Sequence, residues 1–500
     1  MDSNRDNYLI TSAEYRQRLS KMRNNVYLHG KLTSRENAEF EGGKEIFGLT
    51  HDLALDPKWE KMLTATSSIS RKKINRFCHI LQSPEDMLQK IKLTRLFTHY
   101  AGRCIQRCIG VDALNGFSVA SYNTDKKYGT EYYKRFLKYL DYFERNDLTA
   151  CCAMTDPKGH RALRPHEQLD PDMYLHIVER KSDGIVVRGA KVSNSDAPTV
   201  DEILVTPTRL MTPEEKDWAV GFAIPADWEG VKLLATCQGG KGLVHNRLVA
   251  PIDKLGYADS LTIFDNVFVP WERVFLCGET DYSLQLTMGF ARCHRQSYCG
   301  CKPALVDIML GAASLIAKYN GVPRVPHIRG KLTDLAIDSA LIYAAGIASA
   351  INGERFDNGT YLPDELYSNV GRYFAAENVA KWLHILIDVA GGLSENVAPE
   401  DQYLSEELHP YYEKYYAGDP QYKTEDRYRL FRYIRQLAHG DIAEMSLGGD
   451  IHGAGAPEMY RLAVWRDTDA EYYEELIKRI IGISQEEYVP PVDKFGNWIT

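Results

Sequence analysis

Between Ala291 and Ala304 the chain reads "ARCHRQSYCGCKPA", with three cysteines, one histidine and one tyrosine close together. On a helix each residue turns by about 100°, so His294, Tyr298 and Cys301 share a narrow sector of one face. Cys299 lies about 140° round from His294, and Cys293 also points elsewhere. The spacing therefore selects Cys301 over Cys299 as the thiol that shares a metal with His294. A second pair, Cys104 and Cys108 in "HYAGRCIQRCIGVDALNG", is four apart and shares a face if that stretch is helical. Two thiols from one helix, with an imidazole and a thiol from another, form a four-ligand set suited to zinc or to an iron–sulfur cluster. Read singly, a CxxxC pair is a pair of small buried hydrophobes and Tyr298 is core. Gly300 and Pro303 predict a kink in the helix that carries them.

Three zones must position these residues. From about 12 to 146 the apolar residues recur with helical period, as in "SPEDMLQKIKLTRLFTHYAGRCIQRC", where Ser83 is the expected N-cap and Glu85 and Asp86 fall in the first turn. From about 148 to 276 short runs rich in Val, Ile and Thr alternate with Gly, Pro and Asp, among them "GVKLLATC" and "LTIFDNVFVP". Long helical periods then return and run to about 483. The expected organisation is an N-terminal helical domain (1–147), a middle β domain (148–280), a C-terminal helical bundle (281–483) and an arm (484–500) that docks on a neighbour.

With 500 residues, 44% of them hydrophobic and 26% charged, the chain is long enough for two or three domains with large cores. The net charge of −8 is spread along it, which gives no footprint for nucleic acid. No run of eighteen apolar residues suggests a membrane span. The polar N-terminus lacks the pattern of a signal peptide, so a cytoplasmic and anaerobic location is expected. The ten cysteines are then free thiols or metal ligands rather than a disulfide framework.

"CIQRCIGVDALN" together with "HRQSYCGCK" resembles the 4-hydroxybutyryl-CoA dehydratase (vinylacetyl-CoA isomerase) family, an iron–sulfur flavoprotein branch of the 4-hydroxyphenylacetate 3-hydroxylase superfamily. "MTDPKGHRALRPHEQ", "VVRGAK", "FDNVFVPWERVF", "DVAGGLSENVAPED" and "HGAGAPE" are similar to further family landmarks in the family order, so the resemblance spans nearly the whole chain. It implies an α+β fold like that of acyl-CoA dehydrogenases, with a helical domain, a middle β-barrel domain and a helical bundle. It implies one [4Fe-4S] cluster on Cys104, Cys108, His294 and Cys301. It also implies FAD bound by Met154, Thr155, Lys158, Gly159 and Arg161, then Lys191, Ser193, Asn194 and Ser195. A Gly-containing turn flanked by cations suits a pyrophosphate, although "DPKG" taken alone is an ordinary turn. Gly391 and Gly392 resemble a glycine loop that approaches the flavin across a subunit interface, and a homotetramer follows.

The reaction implied is a radical dehydration or double-bond isomerisation of a 4-hydroxyacyl-CoA, in which FAD takes and returns one electron and an iron helps the hydroxide to leave. His294 would serve as ligand and proton acceptor, Tyr298 would donate to the departing oxygen, Lys302 would hold the thioester oxygen or a nearby carboxylate, and Gln106 would lie near the active site. Departures from the family pattern fall on the acid/base apparatus. Ser193 and Ser195 stand where the family has histidine and threonine, and Asp259 where it has glutamate. The glutamate expected three residues before His452 is Gly449, with Asp450 beside it and rotated by about 100° on a helix. These departures keep open a related lyase or reductase on another hydroxylated substrate. A reduced-flavin aromatic hydroxylase has no use for four cluster ligands.

Overall fold

The computed structural model describes residues 7–238, 248 and 256–484. The arm expected at 484–500 lies, apart from Ser484, outside the described residues.

The β zone folds into two separately hydrogen-bonded sheets. One has six strands in the order Lys31–Thr33, Val26–Leu28, Val231–Gln238, Tyr257–Pro270, Gly184–Lys191 and His176–Arg180. The other has four, in the order Val274–Cys277, Val220–Pro225, Glu202–Val205 and Ala150–Ala153. Their inner faces share one core, in which Val187, Leu233 and Phe264 of the larger sheet meet Ile203, Val205 and Phe222 of the smaller. Strand alternation puts these residues inward, and the Phe222 and Phe264 rings meet edge to face at 6.0 Å. The larger sheet corrects the domain expectation. Val26–Leu28 and Lys31–Thr33 come from the zone read as helical, and Val26 pairs in parallel with Leu233. The arrangement is a mixed helix-and-sheet fold; closure of the strands into the expected barrel is not seen among the described residues.

The helices assemble around one 37-residue helix, Ser283–Tyr319. Pro326–Ile351 and Glu365–Ala390 pack against it from the C-terminal side, and Pro84–Ala101 and Cys108–Tyr128 from the N-terminal side. Ser83 caps Pro84–Ala101 as expected, accepting from the Asp86 N–H at 3.2 Å. The long helix runs on through Gly300 and Pro303. Two close approaches make the junction. A Cβ on Gly116 would come within 2.7 Å of the Phe290 backbone nitrogen, and one on Gly289 within 2.9 Å of Gly116 Cα. A Cβ on Gly300 would overlap Thr94 Oγ1 and the Ile91 carbonyl region. Only glycine lets these three helices come this close, and their contact brings Cys108 beside His294.

By length and composition, Thr280–Tyr319 and Pro326–Ile351 each contain a window apolar enough to cross a membrane, which departs from the expectation of no such run. In the first, 67% of that window is buried inside the protein, as in a core helix.

Candidate metal and flavin site

His294 is buried on the long helix, stacked on Phe290 with ring centroids 5.3 Å apart. Its Nδ1 lies 2.9 Å from Asp112 Oδ2. A carboxylate accepts only, so Nδ1 carries the proton and Nε2 keeps its lone pair for a metal. Asp112 is fully buried and also receives hydrogen bonds from Lys90 Nζ at 2.7 Å and Ser297 Oγ at 2.9 Å. Cys108, Asp112 and His294 place one ligand atom each within 4.8 Å of one another. Because Asp112 is occupied by three donors, it fits the shell behind the ligands better than the ligand set itself.

Cys104 and Cys301 interact with each other and lie within electrostatic reach of Cys108. Cys104 is hydrogen-bonded by the Cys301 thiol, which brings Cys104 down to about 5, with Lys302 and the Gln106 N–H adding to the effect. Cys108 is pushed up by burial and by the Asp112 carboxylate, and Cys104 and Cys301 lie within its electrostatic reach. His294 and Cys301 lie seven residues apart on one continuous helix. The reading of Cys104 and Cys108 as two residues of one helix does not hold. Pro84–Ala101 ends at Gly102 (φ 74°), Cys104 sits in the following loop, and Cys108 is the first residue of the next helix. Gln106 at the turn has φ 56°, and across this loop Cys104 and Cys108 lie within electrostatic reach of each other. Arg107 ties this loop down, donating to Asp147 Oδ1 at 2.6 Å and to Thr50 Oγ1, while Asp147 holds His51 Nδ1 at 2.9 Å.

Cys299 and Cys293 face elsewhere, as expected. Cys299 donates to the Arg295 carbonyl at 3.5 Å and packs where Gly346 and Gly371 leave room. Burial pushes both thiols up to about 12.

On the far side of Tyr298 lies a charged group of residues. Lys302 and Asp450 form a buried ion pair, and Asp450 Oδ2 has no partner among the described residues. Lys302 Nζ sits 4.8 Å from the Tyr298 ring centroid and Arg372 Cζ 4.3 Å. Burial raises the Tyr298 phenol, opposed by both cations. Gly449 is exposed and a Cβ there meets nothing, and Asp450 is the buried carboxylate of the Asp441–His452 helix. His452 is exposed, with no side-chain hydrogen bond among the described residues.

Asp259, on the strand Tyr257–Pro270, accepts from Ser195, and burial raises its carboxyl to about 6. Its Oδ1 is buried without a partner among the described residues, as are Gln106 Oε1 and Asn194 Oδ1. Tyr257, two residues before Asp259, lies within electrostatic reach of both Asp259 and Asp450, which joins the β domain to the helical site. These orphaned acceptors, with Asp450 Oδ2, are the mark of a site built for donors that a ligand brings.

The segment 154–161 leaves strand Ala150–Ala153 as an irregular turn, with Gly159 at φ 51°. Lys158, Gly159 and Arg161 are exposed, and Met154 and Thr155 half-buried. Lys191 is buried and fully partnered. Its Nζ is spent on Met154 O at 2.8 Å, Asp156 Oδ1 at 2.7 Å and Thr206 O at 3.0 Å, so it holds the turn in place. Ser193 is exposed at φ 54°, and Asn194 donates to Thr262 Oγ1 at 2.7 Å. Gly391 and Gly392 lie exposed at the end of Glu365–Ala390, with open space around them.

Sequence reasoning missed Asp112, Ser297, Lys90 and Arg372. Two of them carried a signal: Asp112 is four residues after Cys108, and Ser297 three after His294, both helical-face spacings. A buried lysine or arginine has no such mark.

The family model for the 4-hydroxyphenylacetate 3-hydroxylase N terminal matches residues 11–276, and that for its C terminal residues 283–482. The chain is 35% identical to the 4-hydroxybutyryl-CoA dehydratase/vinylacetyl-CoA-Delta-isomerase of Clostridium aminobutyricum, over 95% of this chain and 100% of that one. It is 25% identical to the 4-hydroxyphenylacetate 3-monooxygenase oxygenase component of Thermus thermophilus, over 84% and 87%. Among solved structures, an oxygen-tolerant archaeal 4-hydroxybutyryl-CoA dehydratase from N. maritimus superposes with a TM-score of 0.92 at 34% identity, covering 97% of this chain and 98% of that one. The oxygenase component of 4-hydroxyphenylacetate 3-monooxygenase complexed with FAD superposes at 0.84 with 22% identity, covering 94% and 98%, which shows a common fold. The chain belongs to the 4-hydroxybutyryl-CoA dehydratase/vinylacetyl-CoA isomerase family, within the 4-hydroxyphenylacetate 3-hydroxylase superfamily.

Proposed function

We propose that the protein is a cytoplasmic, homotetrameric dehydratase with double-bond isomerase activity on a 4-hydroxyacyl-CoA, dependent on FAD and a [4Fe-4S] cluster. The observation that carries the reading is the convergence of Cys104, Cys108, Cys301 and a His294 whose Nε2 is left free. Three soft thiolates and one imidazole suit an iron–sulfur cluster. When bound, the cluster and flavin supply Lewis acidity and reversible one-electron transfer.

The remaining steps belong to the chain. Asp259, with Ser195 bound to it, is the carboxylate poised to take a substrate proton, since its raised pKa brings it nearer neutrality. Lys302 offers a fixed ammonium to the thioester oxygen, with Asp450 holding it in place. Tyr298 keeps its proton at neutral pH and is a donor for the departing hydroxyl. Gln106 orients the substrate through its unpaired Oε1. Met154, Thr155, Lys158, Gly159, Arg161, Ser193 and Asn194 would hold the flavin, with Lys191 bracing their turn, and Gly391 and Gly392 would approach the flavin of a neighbouring subunit. His452, exposed on the same helix as Asp450, would be a further acid/base group in this reading. Oxygen sensitivity is no part of the proposal, because the N. maritimus relative is described as oxygen tolerant.

The aromatic hydroxylase reading leaves the buried ligand set without a purpose. Protein purified without oxygen and given 4-hydroxybutyryl-CoA or vinylacetyl-CoA should form crotonyl-CoA from both. A protein with full flavin and iron that turns over neither would move the search to other hydroxylated substrates.

A further inference from the structure

We propose that Asp112 is a positioning residue that makes His294 an iron ligand, and that Lys90 fixes which way Asp112 acts. The inference rests on the cluster reading above and goes beyond it, because it assigns the tautomer of one ligand to two residues that touch neither iron nor substrate.

The geometry is closed on every side. Asp112 Oδ2 faces His294 Nδ1 at 2.9 Å, and Oδ1 faces Lys90 Nζ at 2.7 Å. Ser297 Oγ lies 2.9 Å from Oδ2 and 3.2 Å from Oδ1. Lys90, 2% exposed, also donates to the Cys293 carbonyl at 2.8 Å, so its ammonium is anchored at two points. An ammonium can only donate. The atom of residue 112 that faces Lys90 must therefore accept, which leaves the other atom for the imidazole. With a carboxylate that atom also accepts, Nδ1 carries hydrogen, and Nε2 binds metal.

Asparagine at 112 reverses the outcome. Its oxygen must turn to Lys90, so its amide N–H₂ meets His294 Nδ1. Nδ1 then accepts, the proton moves to Nε2, and the imidazole can no longer ligate. The same trap operates when asparagine replaces the carboxylate of a Ser-His-Asp triad. Removing Lys90 as well frees the amide to turn its oxygen back to Nδ1, which restores the ligating tautomer.

The test uses the intact holoprotein labelled with ¹⁵N-histidine, with iron counted per chain and nitrogen hyperfine coupling measured on the reduced cluster. Wild type should show the coupling. Asp112→Asn should lose it, together with about one of about four irons, and His294→Ala should do the same. Asp112→Asn with Lys90→Met should regain it, and Ser297→Ala, which leaves the carboxylate in place, should keep it. Asp112→Asn indistinguishable from wild type, or a double variant no better than the single, overturns the inference alone. Wild type without iron overturns the cluster reading beneath it.

Discussion

Lys302 and Asp450 form a buried ion pair that joins the long helix Ser283–Tyr319 to the helix Asp441–His452, beside the Tyr298 ring. Two charges out of water are held by each other, and one Asp450 oxygen is left over. Asp450→Asn leaves the Lys302 ammonium buried and unpaired, which costs about 3–5 kcal/mol. Thermal unfolding should register that loss, and Lys302→Met combined with Asp450→Asn should recover most of it while turnover stays lost. A single variant as stable as wild type would show that the pair is open to solvent.

Gly453 lies against the Tyr298 hydroxyl, and a Cβ there would overlap it. The Gly453 carbonyl is meanwhile held by Arg372 at 2.8 Å and Tyr460 at 2.7 Å, so the backbone cannot retreat easily. Gly453→Ala should displace the phenol, cost about 1–3 kcal/mol of stability and lower kcat more than it changes KM. An unchanged kcat would remove Tyr298 from the reaction.

Asp259 has a folded pKa of about 6, raised by burial above the usual carboxylate value. As a proton acceptor it must be ionised, so kcat/KM should rise as pH passes upward through about 6, and Asp259→Asn should flatten that limb. The linkage has the opposite sense. A raised folded pKa means the native state holds the proton more tightly, so its stabilising effect is full below the unfolded carboxylate pKa. That effect is lost as pH rises from there through about 6. Denaturant midpoints at pH 4 and 7, for wild type and Asp259→Asn, check the sign.

Much of this site was legible because helical period is a strong signal. His294, Tyr298 and Cys301 share a face of an unbroken helix, and Cys299 falls off it, as spacing alone required. The Cys104–Cys108 spacing misled, because a left-handed residue at Gln106 gives a loop the same return that a helical turn would give. The strands Val26–Leu28 and Lys31–Thr33 are too short to show alternation, and Val26 finds its partner at Leu233, far along the chain. The family pattern put the lost carboxylate at Gly449, whereas the helix turns Asp450 inward; only the packed neighbour Lys302 decides that face. Lys90 and Arg372 owe their burial to tertiary partners and leave no local trace.

In the proposed function, Cys104, Cys108, His294 and Cys301 hold a single cluster. The most direct measurement is iron and acid-labile sulfide per chain in anaerobically purified wild type, Cys301→Ala and Cys299→Ala. About four of each are expected in wild type and in Cys299→Ala, with loss of the cluster in Cys301→Ala. Equal retention or equal loss in the two variants would contradict it.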